Sequence, residues 1–444
     1  MKELLDTTAA LAAEYLDQVG TRPVARPVSL GEMVDAIGAD LPEEGVDPLR
    51  VIEELARDAD PGLVVTNGGR YFGFVVGGVL PAALAADWLA SAWDQAPGFY
   101  ALSPAAAAVE EISRRWLCDL LGLPGTWSAG FTTGAQLANF AGLAAARHAV
   151  LTKAGWDLEK RGLFGAPPLT VVVGRERHAT IDRALRFLGI GQDQLAVVDV
   201  DDQGRMRPDA IPPTIGPTIV CAQAGNVNTG AIDPIGEIVD RAHAHDAWVH
   251  VDGAFGAWAA ASPGLRHLTR GMERADSLAI DGHKWLNVPY DCGVVLCARP
   301  DDHRAAMQLA ADYLARDGER HGSDWTPESS RRARAFAVYA ALRSLGRSGV
   351  ARMIDRSCAQ ARRVADALDG DLEVLNDVTL NQVLVRVGDD DERTRRAATA
   401  IQRGGESWLG TTTWQGKVAI RVSVSDHAID DASIDTLIRA LQEA

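Results

Sequence analysis

Between residues 169 and 297 the chain repeats one pattern, a short run almost free of charge followed by a stretch of helical periodicity. The runs are Leu169–Val173, Leu195–Val200, Thr218–Ala222, Ala247–Val251, Ser277–Ile280 and Gly293–Cys297. Helical patterns such as Thr180–Leu188 and Ile235–His245 lie between them. A strand wetted on one face alternates apolar and polar residues, and these runs do not. Strands apolar on both faces, interleaved with helices, predict an α/β fold with a mainly parallel sheet covered on both sides.

Three regions follow from the patterning. Residues 1–70 read as an N-terminal helical segment, in which Asp47-Pro48 has the form of an N-cap with proline at the first helical position. Residues 71–325 read as a large α/β domain. Its first part, to about residue 120, is rich in Ala, Trp and Gly and has no charge between Tyr71 and Ala86, which predicts a buried, largely helical region. Residues 326–444 read as long helices, Glu328–Leu345 and Val350–Leu368, followed by a small α+β domain. Its elements are Val383–Val387, Arg393–Gln402, Val418–Val424 and Asp431–Leu441.

Charge narrows the partners. Lys and Arg number 44 against 60 Asp and Glu, a net charge of −16, which argues against nucleic acid or an anionic membrane. The arginines of 327–347 recur at helical spacing and read as a solvated helix face or a subunit contact. The cysteines Cys118, Cys221, Cys292, Cys297 and Cys358 are odd in number and widely spaced, so neither a disulfide framework nor a metal site is expected. The first twenty residues carry acids within a helical pattern, unlike a secretory leader, and glycines and threonines interrupt the longest uncharged stretch, Leu120–Ala146. A cytoplasmic enzyme with reduced thiols fits these features.

Four segments carry chemistry. Lys284, in Asp281-Gly-His-Lys-Trp285, follows a predicted strand; a desolvated lysine is what capture of an aldehyde requires, although a surface lysine at a strand end reads the same way. Asp252 ends the run Ala247–Val251, where ligands of open α/β sheets bind, and equally suits a turn before Gly253. The turn Gly130-Phe-Thr-Thr-Gly-Ala-Gln136 opens a helical stretch whose free amides suit a phosphate, as do those of many plain helix starts. His178 follows the first strand of the repeat and is placed either to stack on a flat ring or simply to cap a helix. A lysine for an aldehyde and a carboxylate for a ring nitrogen are together what pyridoxal 5'-phosphate needs.

At this point the sequence resembles the group II pyridoxal-phosphate-dependent amino-acid decarboxylases, of the aspartate aminotransferase-like fold type I. The resemblance rests on Phe72-Gly-Phe74, Ser103-Pro104, Glu110, His250-Val-Asp252, Asp281–Trp285, Asp324-Trp325, Ser330-Arg-Arg332, Asn381-Gln-Val383 and Arg421, and spans nearly the whole chain. It implies a seven-stranded sheet and a homodimer with the active site built across the interface. It also implies that Lys284 forms the internal aldimine, Asp252 pairs with the pyridine nitrogen and His178 stacks on the ring. Ala135 and Gln136 would be phosphate-loop amides beside Thr133, Asp281 and His283 would flank the cofactor, and Arg421 would meet a substrate carboxylate. A structural ion pair in the small domain suits Arg421 equally well. The implied reaction is decarboxylation of an L-amino acid, aromatic or similar, to the amine.

Three departures bear on the reaction. The phosphate turn has Leu137 where the family has glutamate, and Gly225-Asn226-Val227 stands where the family often shows Gly-Thr-Thr, so Asn226 is expected to take over a cofactor contact. The loop before Trp325 lacks the tyrosine that returns a proton in the aromatic amino-acid decarboxylases. Tyr313 comes too early, and His321 is the expected substitute donor. Without prompt protonation, dioxygen could divert the reaction to an aldehyde, and transamination or aldol-type cleavage remain open on the same scaffold. Intact Lys284, Asp252 and His178 speak against a non-catalytic interaction protein.

Overall fold

The six runs form strands, joined by one more at the edge. They are β1 (Ser128–Thr132), β2 (Thr170–Gly174), β3 (Leu195–Val198), β4 (Thr218–Gln223), β5 (Trp248–Asp252), β6 (Ser277–Asp281) and β7 (Gly293–Cys297). The structure, a computed structural model, describes residues 1–38, 40–213, 216–309 and 318–444. The seven strands lie in the order β1-β7-β6-β5-β4-β2-β3, with β7 antiparallel to both neighbours and the other pairs parallel. Every residue of β1, β5, β6 and β7 is buried, as runs apolar on both faces require.

The principal helices are α1 (Lys2–Gln18), α2 (Leu30–Ile37), α3 (Pro48–Ala59), α4 (Pro81–Trp93), α5 (Pro104–Leu121) and α6 (Ala135–Lys153). They continue with α7 (Ala179–Phe187), α8 (Ile235–His243), α9 (Pro300–Met307), α10 (Ala335–Asp366), α11 (Asp391–Gly404) and α12 (Asp431–Glu443). Successive side chains of a strand point to opposite faces, and the core divides accordingly. Val172, Val220, Val249 and Val251 pack with α8 on one face, while Val171, Val173, Ile219 and Cys221 pack with α6 and α7 on the other. No described helix is long and apolar enough to cross a membrane.

A second sheet, β8 (Leu372–Val374), β9 (Gln382–Val387), β10 (Gly410–Trp414) and β11 (Lys417–Ser423), is antiparallel throughout in the order β10-β11-β9-β8. Phe72 joins its core: its amide donates to Trp408 O (2.7 Å) and its carbonyl accepts from the Ser423 amide (2.9 Å). The N-terminal helices behave differently. α3 is capped by Asp47 as expected, yet none of α1, α2 and α3 has a buried residue. α4 likewise exposes Trp88, Leu89 and Trp93, so the 70–120 region is less buried than its composition predicts.

The arginine-rich stretch also differs from expectation. α10 begins at Ala335 rather than Glu328, and Gly346, at a φ of 60°, kinks it between the two predicted helices. Residues 328–334 are not helical because two of their arginines are drawn inward instead of lining a wet face. Arg331 reaches Glu110 at 2.7 Å, both side chains being 1% exposed, and Arg334 donates to Asp291 at 2.8 Å. Arg320 joins the same carboxylate at 3.3 Å and also donates to Ala129 O, on the edge strand β1, at 2.6 Å. The Arg320 guanidinium lies over the Trp325 ring. A strap from 320 to 331 is thus fastened across α5 and β1 by buried charge.

Removing one member of such a group strands the others without a counter-charge. Glu110→Ala should therefore cost about 3–5 kcal/mol of unfolding free energy in urea. Glu110→Leu combined with Arg331→Met should recover part of that loss.

Candidate active site

The carboxyl ends of β4, β5 and β6 open into a cavity of about 240 Å³, where open α/β sheets bind their ligands. Lys284, His178, Asp252, Asp281, Ala135 and Gln136 all line it, residues drawn from four separate stretches of sequence. Lys284 follows β6 and directs its Nζ to Asp281 Oδ2 at 3.2 Å. Asp281 Oδ1 accepts the Ala135 amide at 2.5 Å and stands 3.4 Å from His283 Nε2. The Cys292 amide donates to His283 Nδ1 at 3.0 Å. That leaves Nε2 as the protonated nitrogen of the neutral ring. Burial lowers the His283 pKa, and Tyr290 stacks on its ring at 4.4 Å.

The lysine loop is clamped from behind. A Cβ on Gly77 would fall 1.8 Å from Lys284 O, so only glycine lets that strand of chain pass. Asn287 Oδ1 accepts the amides of Gly78 (2.9 Å) and His427 (2.7 Å), tying the loop to both. Nothing in the sequence pattern pointed to Asn287.

Asp252, at the end of β5, is 5% exposed and spends one oxygen on the Ala254 amide at 3.3 Å. Its turn role and its place in the cavity therefore coexist. The same holds for His178, which caps α7: its Nδ1 lies 2.7 Å from Thr180 Oγ1, while its ring faces the cavity. Burial lowers the His178 pKa, opposed by the Asp252 carboxylate. Beside Asp252 in the sheet register stands Gln223, which also lines the cavity and was missed. Its position at a strand end next to the acid was the available signal.

Helix α6 begins without a side-chain cap at Gly134, and among the described residues the Gln136 amide meets no protein acceptor. A free amide at a helix N-terminus favours an anion. Lysine, carboxylate, imidazole and anion site together fit pyridoxal phosphate.

Four expected residues are not brought to this cavity. Thr133 does not line it; the neighbouring Thr132 hydroxyl closes the turn onto Gly134 O at 3.0 Å. Asn226 is corrected outright. Its Oδ1 accepts the amides of Asn228 (2.8 Å) and Thr229 (3.2 Å) and its Nδ2 donates to Glu176 O (3.2 Å), so the side chain is taken up by its own turn and the loop after β2. Val227 lines the cavity instead. Arg421 sits on β11, half-buried, with its Nη1 donating to Val227 O at 3.3 Å. Among the described residues it has no carboxylate partner, so the ion-pair alternative is not what the structure contains. His321 stands apart, its Nδ1 accepting the Tyr100 amide at 3.3 Å and its ring centroid 6.0 Å from that of Phe99. Tyr313 lies outside the described residues.

The family model described as the pyridoxal-dependent decarboxylase conserved domain matches residues 31–387. The chain belongs to the pyridoxal-dependent decarboxylase family. It is 27% identical over 469 residues to the aromatic-L-amino-acid decarboxylase of Bacillus atrophaeus, covering 100% of this chain and 95% of that one. It is 24% identical over 469 residues to the 4-hydroxyphenylacetaldehyde synthase of Rhodiola rosea, covering 99% and 94%. The crystal structure of Oryza sativa TDC with PLP and tryptamine superposes with a TM-score of 0.91 at 24% identity, over 100% of this chain and 96% of that one. This decarboxylase is a pyridoxal-phosphate-dependent carboxy-lyase with the group II fold. When bound, the cofactor supplies an aldehyde and an electron-accepting ring.

Lys284→Ala should abolish covalent attachment of the cofactor, checked by borohydride reduction and peptide mapping. Asp252→Asn should keep binding while lowering kcat by about a hundredfold or more, since an uncharged amide cannot hold a proton on the ring nitrogen. Label on another lysine would overturn the first assignment.

Proposed function

We propose that the enzyme removes the α-carboxylate of an L-amino acid with an aromatic or similar side chain as CO2 and releases the amine. The observation that carries this reading is the convergence of Lys284, Asp252 and His178 on one cavity, with Arg421 bonded to the carbonyl of Val227, a residue that also lines it. In this reading Lys284 holds the aldehyde carbon, Asp252 keeps the ring nitrogen protonated and His178 covers the ring. Asp281 fixes Lys284 and the start of α6 together, and His283 borders the lysine. Arg421 offers a planar fork for a carboxylate, which suits it better than a point charge would.

A second reading, oxidative decarboxylation with deamination to an aldehyde, is favoured by one observation. His321, the expected proton donor, does not line the cavity of its own chain. If no proton reaches Cα promptly, dioxygen can accept the electron pair and become hydrogen peroxide, while water releases ammonia and leaves the aldehyde. A homodimer would bear on this, because it could present His321 to a neighbouring cavity. Support for the dimer comes from the outward-facing Leu30, Val34, Ile37, Val51 and Leu55 of α2 and α3, and from Trp88 and Trp93 of α4. Isolated surface apolar residues are ordinary, but a succession on amphipathic helices asks for a partner. The division at residues 70 and 325 and a cytoplasmic compartment belong to the same reading, the latter supported by five free, buried cysteines.

The deciding experiment is an amino-acid panel assayed together for CO2, amine, aldehyde and hydrogen peroxide. Amine as the main product is expected, with His321→Ala shifting the yield toward aldehyde and ammonia under air. Aldehyde as the main wild-type product would establish the oxidative reading. Arg421→Lys should raise KM several-fold or change the product ratio, whereas unchanged kinetics would remove Arg421 from the site.

A further inference from the structure

The side chain of Gln136 is held from outside the cavity. Arg183 Nη1 donates to Gln136 Oε1 at 2.9 Å, across 47 residues of sequence. Guanidinium is a donor only, so the carboxamide atom facing it must be the oxygen. The Nε2 end is then the free one, and among the described residues no protein acceptor meets it. Gln136 is the second residue of α6 and lines the cavity, beside a backbone amide that also lacks an acceptor.

Arg183 is suited to this role by its own surroundings. It lies on α7 three residues after Thr180, hence on the same helical face as a residue that lines the cavity. The neighbouring acid, Asp182, is already paired with Arg177 at 2.7 Å. Among the described residues Arg183 itself makes no ion pair, so its positive charge is not cancelled locally. A helix N-terminus and a carboxamide with a free NH2 meet at one edge of the cavity, with the Arg183 guanidinium bonded to that carboxamide from behind.

We propose that Arg183 is a positioning residue for the cofactor's phosphate, acting through Gln136: it fixes the carboxamide oxygen, turns the NH2 donor to the phosphate and adds positive charge there. The proposal rests on the reading of this cavity as the cofactor site. It assigns to Arg183 no part in bond cleavage.

Because the effect is on phosphate, it separates from damage to the rest of the site when the ligand lacks that group. The test is titration of the cofactor-free enzyme with pyridoxal phosphate and, separately, with pyridoxal, following absorbance. Arg183→Gln should raise the dissociation constant for pyridoxal phosphate about three- to tenfold and leave that for pyridoxal unchanged. Gln136→Ala should do likewise, and the double variant should be little worse than either single one, as expected when one residue acts through the other. Arg183→Lys, which keeps the charge, should recover part of the loss and weaken further with added salt. Arg183 is exposed, so its variants should fold, and a thermal melt checks that. Equal weakening toward both ligands, or no change toward pyridoxal phosphate, would overturn the proposal. A wild-type protein that takes up neither compound would overturn the cofactor reading and this proposal with it.

Discussion

The Asp281 carboxylate, 3% exposed at the end of β6, touches the ammonium of Lys284, the first amide of α6 at Ala135 and the edge of His283. These groups belong to a strand end, a helix start and the loop between β6 and β7. A buried carboxylate is costly unless each lone pair meets a donor, and here the donors are functional parts. The charge that holds the lysine in place also docks the anion-binding end of α6 against the sheet. Separating the two would leave a buried anion without partners, so Lys284 and the start of α6 are mechanically one unit.

That unit is built on a rigid platform, because β5 and β6 are buried along their whole length. Beneath it, His250 on β5 bonds Asn139 of α6 through Nε2 (2.9 Å) and lies 2.8 Å from Ser277 of β6 through Nδ1. Burial pushes its pKa down to about 3, so it remains a neutral imidazole that joins helix to sheet by hydrogen bonds alone. The site thus rests on neutral hydrogen-bonded links rather than on a further buried charge, although Asn139 Nδ2 has no partner among the described residues.

The large sheet was legible because strands buried on both faces leave a continuous apolar signature. β1 was not, since Ser128-Ala-Gly-Phe-Thr132 mixes small residues with glycine and has little strand propensity of its own. β10 escaped for the opposite reason: its Thr-rich face is partly wet and carries no apolar run. In the site, Lys284, Asp252 and His178 were readable because each follows a strand of the repeat, and topology alone sends strand ends to the crevice. Asn226 misled because a short amide side chain readily bonds the backbone two residues on, a local preference that outweighs reaching for a ligand. His321 lies beyond a loop whose path the strand pattern does not constrain.

The arginines show why residue type alone could not sort structure from function. Arg331 is buried and Arg421 half-buried, and both were noticed from their sequence context. Arg331 meets Glu110, and that pair fastens the 320–331 strap to α5. Among the described residues Arg421 meets a backbone carbonyl and no carboxylate. Burial accordingly pulls its pKa down, as desolvation of an unpaired cation must. Among the described residues, then, Arg331 has a carboxylate and Arg421 has none. Whether a guanidinium meets a carboxylate is visible only once the chain is folded.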